Sequence, residues 1–252
     1  MASSSNSASW LPSEALCIEG GSLLPERAAS LRASLSHRFD LTVQNVCIAR
    51  TMFRLLKVCD SNVLLERITP EMFAHDERLP YWADLWHSSI ELARWCLEEA
   101  ELGGKRVLEL GCGLGLAGIA AATAGAEVTF SDYDADALAF AACNVAANLS
   151  PEAQSRIRFF QLDWRHLPSI SPFDLIIGAD VVYERGSFSA LSEALWTLLR
   201  SDGYAVLTEP DRTIGRDFFA ELDRQKFRLS TVQRPVVWDK RMCMINRVEI
   251  RR

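Results

Sequence analysis

Three groups of residues in this chain have the types and spacing to do chemistry. The first lies in "RVLELGCGLGLAG", where Gly113, Gly115 and Gly118 form G-x-G-x-x-G just after an apolar run and are preceded by Glu109 and Gly111. A glycine turn at such a place lets the backbone approach a ligand, and the helix that follows presents free N–H groups. The second is Asp132, at the end of the next apolar run, whose two oxygens can accept from a pair of ribose hydroxyls. The third is Asp180 with Tyr183 in "GADVVY", placed after another apolar run, where ligands bind in open α/β sheets; a structural aspartate at a strand end is the alternative there.

These residues narrow the cofactor. An acid after the second strand serves NAD and S-adenosylmethionine sites alike, so Asp132 does not choose between them. Glu109 and Gly111 do. Pyrophosphate must meet N–H groups and does not tolerate a nearby carboxylate, whereas S-adenosylmethionine has no phosphate and carries an ammonium and a sulfonium that an acid attracts. The loop E-L-G-C-G-L-G therefore predicts S-adenosyl-L-methionine. A short-chain dehydrogenase is disfavoured separately, because Tyr183 has Ser187 where that chemistry needs a lysine.

The elements that must position these residues follow from periodicity. "RVLEL" (106–110), "EVTFS" (127–131), "IRFFQL" (157–162), "DLIIGA" (174–179) and "YAVLTE" (204–209) read as strands. Between them, Leu138, Ala142, Val145 and Leu149 share one face of a helix that Asp134 can cap, and "FSALSEALWTLL" and "RDFFAELDRQ" supply two more helices. Alternating strands and helices predict an α/β fold with a mostly parallel sheet covered on both faces. "FRLSTVQ" and "MINRVEI" have no helix between them and are expected to close the sheet as an antiparallel pair. Upstream, residues 24–36 read as a short helix, "MFRLLKV" and "NVLLERI" as a hairpin turning at "CDS", and 88–99 as a helix. The expected organisation is a disordered tail over 1–12, an N-terminal extension with helix and hairpin over 13–78, and a catalytic domain over 79–252.

Composition limits the remaining classes. At 252 residues, 49% hydrophobic and 24% charged, the chain can bury a sizeable core. Its net charge of -6 argues against a broad nucleic-acid footprint. Seven cysteines without a C-x-x-C pair, and histidines scattered at 37, 75, 87 and 166, indicate reduced, mostly buried thiols and no metal site. No apolar run is long enough to cross a membrane, and the Ser-rich start lacks the cations of a signal or transit peptide, so a cytoplasmic protein, monomeric by preference, is expected.

With these residues in place, the chain resembles the class I seven-β-strand methyltransferases through "VLELGCGLG", "SDYD", "LDW" and "GADVVY", in that order. Asp180-Val181-Val182-Tyr183 is similar to the D-x-x-Y element of the protein-lysine methyltransferases called methyltransferase family 16. "LPYWADLWHSSIELARW" is similar to the aromatic segment that precedes their core. The resemblance covers roughly residues 50 to 210. It implies a Rossmann-like seven-stranded sheet whose last strand is antiparallel, and methyl transfer from S-adenosylmethionine to a lysine of a partner protein. It further implies cofactor contacts from Glu109, Gly111, Cys112 and Gly113, from Asp132 at the ribose, from Asp163 and Trp164 near the adenine, and from Tyr133, Ala179 and Trp86. Asp180 and Tyr183 become the catalytic pair. By spacing alone, Trp86 also suits core packing with Ile90, Ala93 and Leu97, Trp164 also suits a surface loop, and Asp163 also suits a turn cap. "TEPDRT", after the fifth strand, has no assigned chemistry beyond a place at the acceptor entrance. A small-molecule N- or O-methyltransferase and a non-catalytic binding protein that keeps the fold stay open as other readings.

Overall fold

A computed structural model of the chain describes residues 25–66, 68–69 and 79–252, and the expected tail over 1–12 lies outside them. The strands are β1 (Leu41–Ile48), β2 (Thr51–Val58), β3 (Arg106–Leu110), β4 (Glu127–Asp132), β5 (Ile157–Gln161), β6 (Phe173–Ala179), β7 (Leu199–Glu209), β8 (Arg228–Trp238) and β9 (Arg241–Arg251). β1 and β2 pair by themselves. The other seven form one sheet in the order β5-β4-β3-β6-β7-β9-β8, parallel except for β9, which is antiparallel to both β7 and β8.

The sheet is covered on both faces, and the strands show it residue by residue. In β6, Leu175 and Ile177 join one apolar cluster while Ile176 joins the other; in β7, Val206 faces the first, and Ala205 and Leu207 the second. A strand that must be apolar on both sides reads as a continuous run, which is why these segments stand out in the sequence. Helices His87–Glu98, Leu116–Thr123 and Ala135–Asn148 pack on the first face, and Phe188–Leu198 and Thr213–Arg224 on the second. Leu138, Ala142, Val145 and Leu149 are all buried, and the Asp134 side chain accepts from the Asp136 N–H to start their helix.

The expected hairpin needs correction. "MFRLLKV" is a strand, but its partner is the preceding segment Leu41–Ile48, and "NVLLE" is the helix Asn62–Glu66. The turn between the strands is Ala49-Arg50, with φ of 49° and 66°, the backbone of a tight hairpin turn without the glycine or asparagine that signals one. "CDS" instead starts the helix, because the Asp60 carboxylate accepts from the Asn62 N–H at 3.0 Å. The thiols also divide differently from expectation: Cys96, Cys112 and Cys143 are buried, whereas Cys47 and Cys59 are exposed.

Two polar clamps fix the extra elements to the sheet. Asn144 and Asn148 lie one turn apart on the same helix and bind the backbone of β2: Leu56 N donates to Asn144 Oδ1 at 2.6 Å, and Arg54 N to Asn148 Oδ1 at 2.8 Å. Asn144 Nδ2 also donates to Leu114 O at 3.0 Å, which ties the hairpin to the glycine loop. Towards the other edge of the sheet, Arg247 of β9 reaches the fully buried Glu91 at 3.2 Å and Glu99 at 2.5 Å, anchoring the helix His87–Glu98 to the sheet. Opposite charges taken out of water persist only when paired in this way.

Candidate active site

The strand order reverses at β3: β4 and β5 lie to one side of it and β6 and β7 to the other. A sheet of this kind opens a crevice at the carboxyl ends of the strands where the order reverses. There the structure has a cleft of about 340 Å³, lined by the ends of β3, β4 and β6, the glycine loop, and the segment 79–89.

The glycine loop owes its shape to backbone that side chains resist. Gly111, Gly113 and Gly115 have φ of 61°, 51° and 79°. Gly118 serves a different purpose: a Cβ there would stand 2.8 Å from Phe130 Cζ and closer still to the Glu109 carboxylate. Its absence lets the first turn of the helix Leu116–Thr123 meet the sheet. Glu109, 2% exposed, accepts from the Gly118 N–H at 3.0 Å, so the acid sits on the donor end of that helix. Burial pushes its carboxyl up to about 8, against the pull of that N–H.

Asp132 closes the loop from the neighbouring strand. It accepts from Gly113 N at 3.0 Å and Asp134 N at 3.1 Å, and burial raises its carboxyl to about 7. Tyr133, Trp164, Ala179 and Cys112 line the same cleft. Trp86 caps the helix His87–Glu98 from outside rather than belonging to its apolar face; its indole N–H donates to Tyr81 O at 2.8 Å. The rings of Tyr81 and Trp86 meet edge to face at 5.9 Å, and those of Tyr81 and Tyr183 at 5.5 Å, making an aromatic wall.

Asp180 follows β6 directly with φ of 58°, a left-handed conformation that a non-glycine residue holds at some cost. Its N–H donates to Thr208 O at 2.8 Å, which fixes it to the end of β7. Its carboxylate accepts from both terminal guanidinium nitrogens of Arg212 and from the Ser88 hydroxyl at 3.3 Å. Burial raises the carboxyl above the usual range, and the Arg212 charge opposes that rise.

The cleft thus brings together every candidate residue except Asp163. That carboxylate turns to Arg165, accepting from its backbone N–H at 3.0 Å and pairing with its guanidinium at 2.6 Å, which is the turn-capping alternative. Sequence reasoning missed Arg212 and Asp84. Arg212 lies in "TEPDRT", and its position at the carboxyl end of β7 was the available signal. Asp84 accepts from Lys57 Nζ at 3.1 Å and from the Ser61 hydroxyl, joining the hairpin segment to the cleft wall.

The lining fits a cationic, phosphate-free ligand: among the described residues it carries Asp84, Glu109, Asp132 and Asp180, and Arg212, which also lines it, is already paired. Fold and site together define a class I methyltransferase dependent on S-adenosylmethionine. The chain belongs to the lysine methyltransferase family, whose sequence model matches residues 75–225. It is 35% identical over 160 residues to the protein N-lysine methyltransferase METTL21A of Danio rerio, across 62% of this chain and 73% of that one. It is 40% identical over 129 residues to the Mus musculus protein of the same name, across 50% of this chain and 59% of that one. Among solved structures, the N-methyltransferase NodS of Bradyrhizobium japonicum with S-adenosyl-L-homocysteine shares the fold, with a TM-score of 0.50, 18% identity, and coverage of 75% of this chain and 97% of that one.

Proposed function

We propose that this protein methylates a lysine ε-amine of a partner protein, with Asp180 and Tyr183 at the acceptor position and the glycine loop and Asp132 at the cofactor. One observation carries this reading: Asp180, Tyr183 and the glycine loop line a single cleft. The names of the relatives point to the same acceptor.

Gly111, Cys112 and Gly113 would hold the methionine part through their backbone, Asp132 the ribose hydroxyls, and Trp164 and Ala179 the adenine side. S-adenosylmethionine supplies an electrophilic methyl whose bonding electron pair stays on sulfur when the new C–N bond forms. The protein has to deliver a neutral amine in line with that methyl. Alignment of this kind is worth up to about 7–11 kcal/mol. A free lysine, with a pKa of about 10.4, is almost wholly charged at neutral pH. Tyr81, Trp86 and Tyr183 give its methylenes an apolar wall and strip water from the nitrogen, which favours the neutral form. Asp180 accepts an amine N–H, fixing the lone pair toward the methyl; the proton lost after transfer leaves through water at the cleft mouth.

The test is incubation of the protein with methyl-labelled cofactor in a cell extract, followed by hydrolysis of the labelled material. Label recovered as methyl-lysine in protein, reduced at least ~100-fold by Asp180→Asn while cofactor affinity holds, supports the reading. Label in a small molecule, or near-normal turnover of Asp180→Asn, overturns it.

A further inference from the structure

The acceptor chemistry sets a conflict that the neighbours of Asp180 address. A lone carboxylate beside a lysine favours the ammonium form, since an opposite charge within ~4–6 Å stabilises the charged species. The reaction requires the neutral one. An acid that aligns the amine therefore also tends to protonate it.

Arg212 bears on this conflict directly. Its guanidinium reaches both carboxylate oxygens of Asp180 and lines the same cleft as Asp180 and Tyr183. The pair is asymmetric in depth: the side chain of Asp180 is 7% exposed and that of Arg212 is 37%. Nor is Arg212 a loose surface residue. Its backbone N–H donates to Glu209 at 2.9 Å, and Glu209, 1% exposed, accepts from Asn246 Nδ2 at 2.7 Å. Gly215 lets this happen, because a Cβ there would stand 2.6 Å from Glu209 Oε2. An acid buried at the end of β7 thus fixes the arginine that faces the acid at the end of β6.

We propose that Arg212 is the positioning residue that sets the charge of the acceptor site: paired with it, Asp180 offers a hydrogen-bond acceptor without a net negative charge, so the site aligns an amine without holding its ammonium form. A cation beside an amine also favours its neutral state. The inference rests on the reading of Asp180 as the acceptor-site carboxylate. Among the described residues, the other charged or titratable groups around the pair are His87, from the helix that also brings Ser88, Tyr183 in the same cleft, Cys243 of β9, and Glu209 of β7, which accepts from the Arg212 N–H. Arg212 is the only one of them in ion-pair contact with it among the described residues.

The test uses the full chain with S-adenosyl-L-homocysteine bound, and n-butylammonium as the probe for a lysine side chain. Aspartate carboxyls are labelled with carbon-13, and Asp180→Asn identifies the Asp180 signal. In Arg212→Gln, the Asp180 carboxyl is expected to titrate at least ~1 pH unit higher than in the wild type, the scale on which one adjacent charge acts. n-Butylammonium at neutral pH is expected to bind Arg212→Gln at least ~10-fold more tightly than the wild type. Arg212→Lys, which keeps the charge, should return both readouts toward wild type and serves alone if the glutamine variant does not fold. In that event, its Asp180 midpoint within ~0.5 pH unit of the wild type, with n-butylammonium still bound weakly, supports the role of charge; a midpoint raised as far as expected for glutamine overturns it. An unchanged Asp180 midpoint in Arg212→Gln, or equal n-butylammonium binding, likewise overturns the proposal. These outcomes are independent of turnover, so a failure of the Asp180 reading itself shows separately, as normal methyl transfer by Asp180→Asn.

Discussion

Replacing Glu109 by glutamine should make the protein more stable and its cofactor site weaker. Glu109 is buried, its carboxylate accepts from the Gly118 N–H, and its carboxyl is raised to about 8. In the unfolded chain the same group titrates near ~4.3. Because the folded value is the higher one, the stability linked to this proton is fully present below about pH 4.3 and is lost as pH rises toward 8. At pH 7, keeping the proton costs on the order of 3–4 kcal/mol, since each pH unit above the unfolded value contributes ~1.36 kcal/mol. Glutamine has the same shape, is neutral at every pH, and still offers an oxygen to Gly118. Urea unfolding of both proteins at pH 4.5 and pH 7 should show similar stability in acid and a gap of about 3 kcal/mol in favour of Glu109→Gln at pH 7, equivalent to ~6–12 °C in melting temperature for a chain of this size. Calorimetry should show weaker S-adenosylmethionine binding by the same variant, since the acid that burdens the free protein faces a cation when the site is filled. Parallel stability curves across pH, or a variant less stable throughout, would refute the reasoning by showing that the carboxyl is ionised in the fold.

Other outcomes follow from the same geometry. Asp132→Ala should lose about 1–3 kcal/mol of cofactor affinity by calorimetry, because it leaves ribose hydroxyls unpaired; unchanged affinity removes Asp132 from the site. Gly118→Ala should destabilise by about 1–3 kcal/mol in urea unfolding through overpacking against Phe130 and Glu109, while Gly103→Ala, with open space around it, should stay near neutral. Asn144→Ala should cost about 2–4 kcal/mol, since Leu56 N and O and Leu114 O all lose a buried partner, and hydrogen exchange should show β2 opening first. Trp86→Phe and Trp164→Phe should keep most of their packing and weaken cofactor binding; a variant that loses melting temperature but binds normally marks that tryptophan as structural.

What could be read from the sequence was local or repeated in pattern. "RVLEL" and "DLIIGA" were legible because a strand buried on both faces is made mostly of apolar residues, and the loop after β3 because three positive φ values favour glycine. The first hairpin was misplaced because Ala49 and Arg50 adopt positive φ without the residues that announce it. Which partner a charged side chain chooses was not legible. Asp163 could face an adenine or cap a turn, and only the fold shows Arg165 occupying it. Arg212 and Asp180 meet because β6 and β7 end side by side, a relation that no spacing along the chain displays.

The strand order also has a consequence for how the enzyme is made. β9 lies between β7 and β8, although it is the last of the three to be translated. Until residues 241–251 have left the ribosome, β8 has no neighbour to pair with and the edge of β7 stays open, a template for unwanted pairing. The nascent helix His87–Glu98 meanwhile lacks the Arg247 that pairs with Glu91 and Glu99, and this helix also carries Ser88 to Asp180. The helix that carries Ser88 to Asp180 is therefore anchored only after β9 has been made, and a chain stalled before residue 241 presents an open sheet edge.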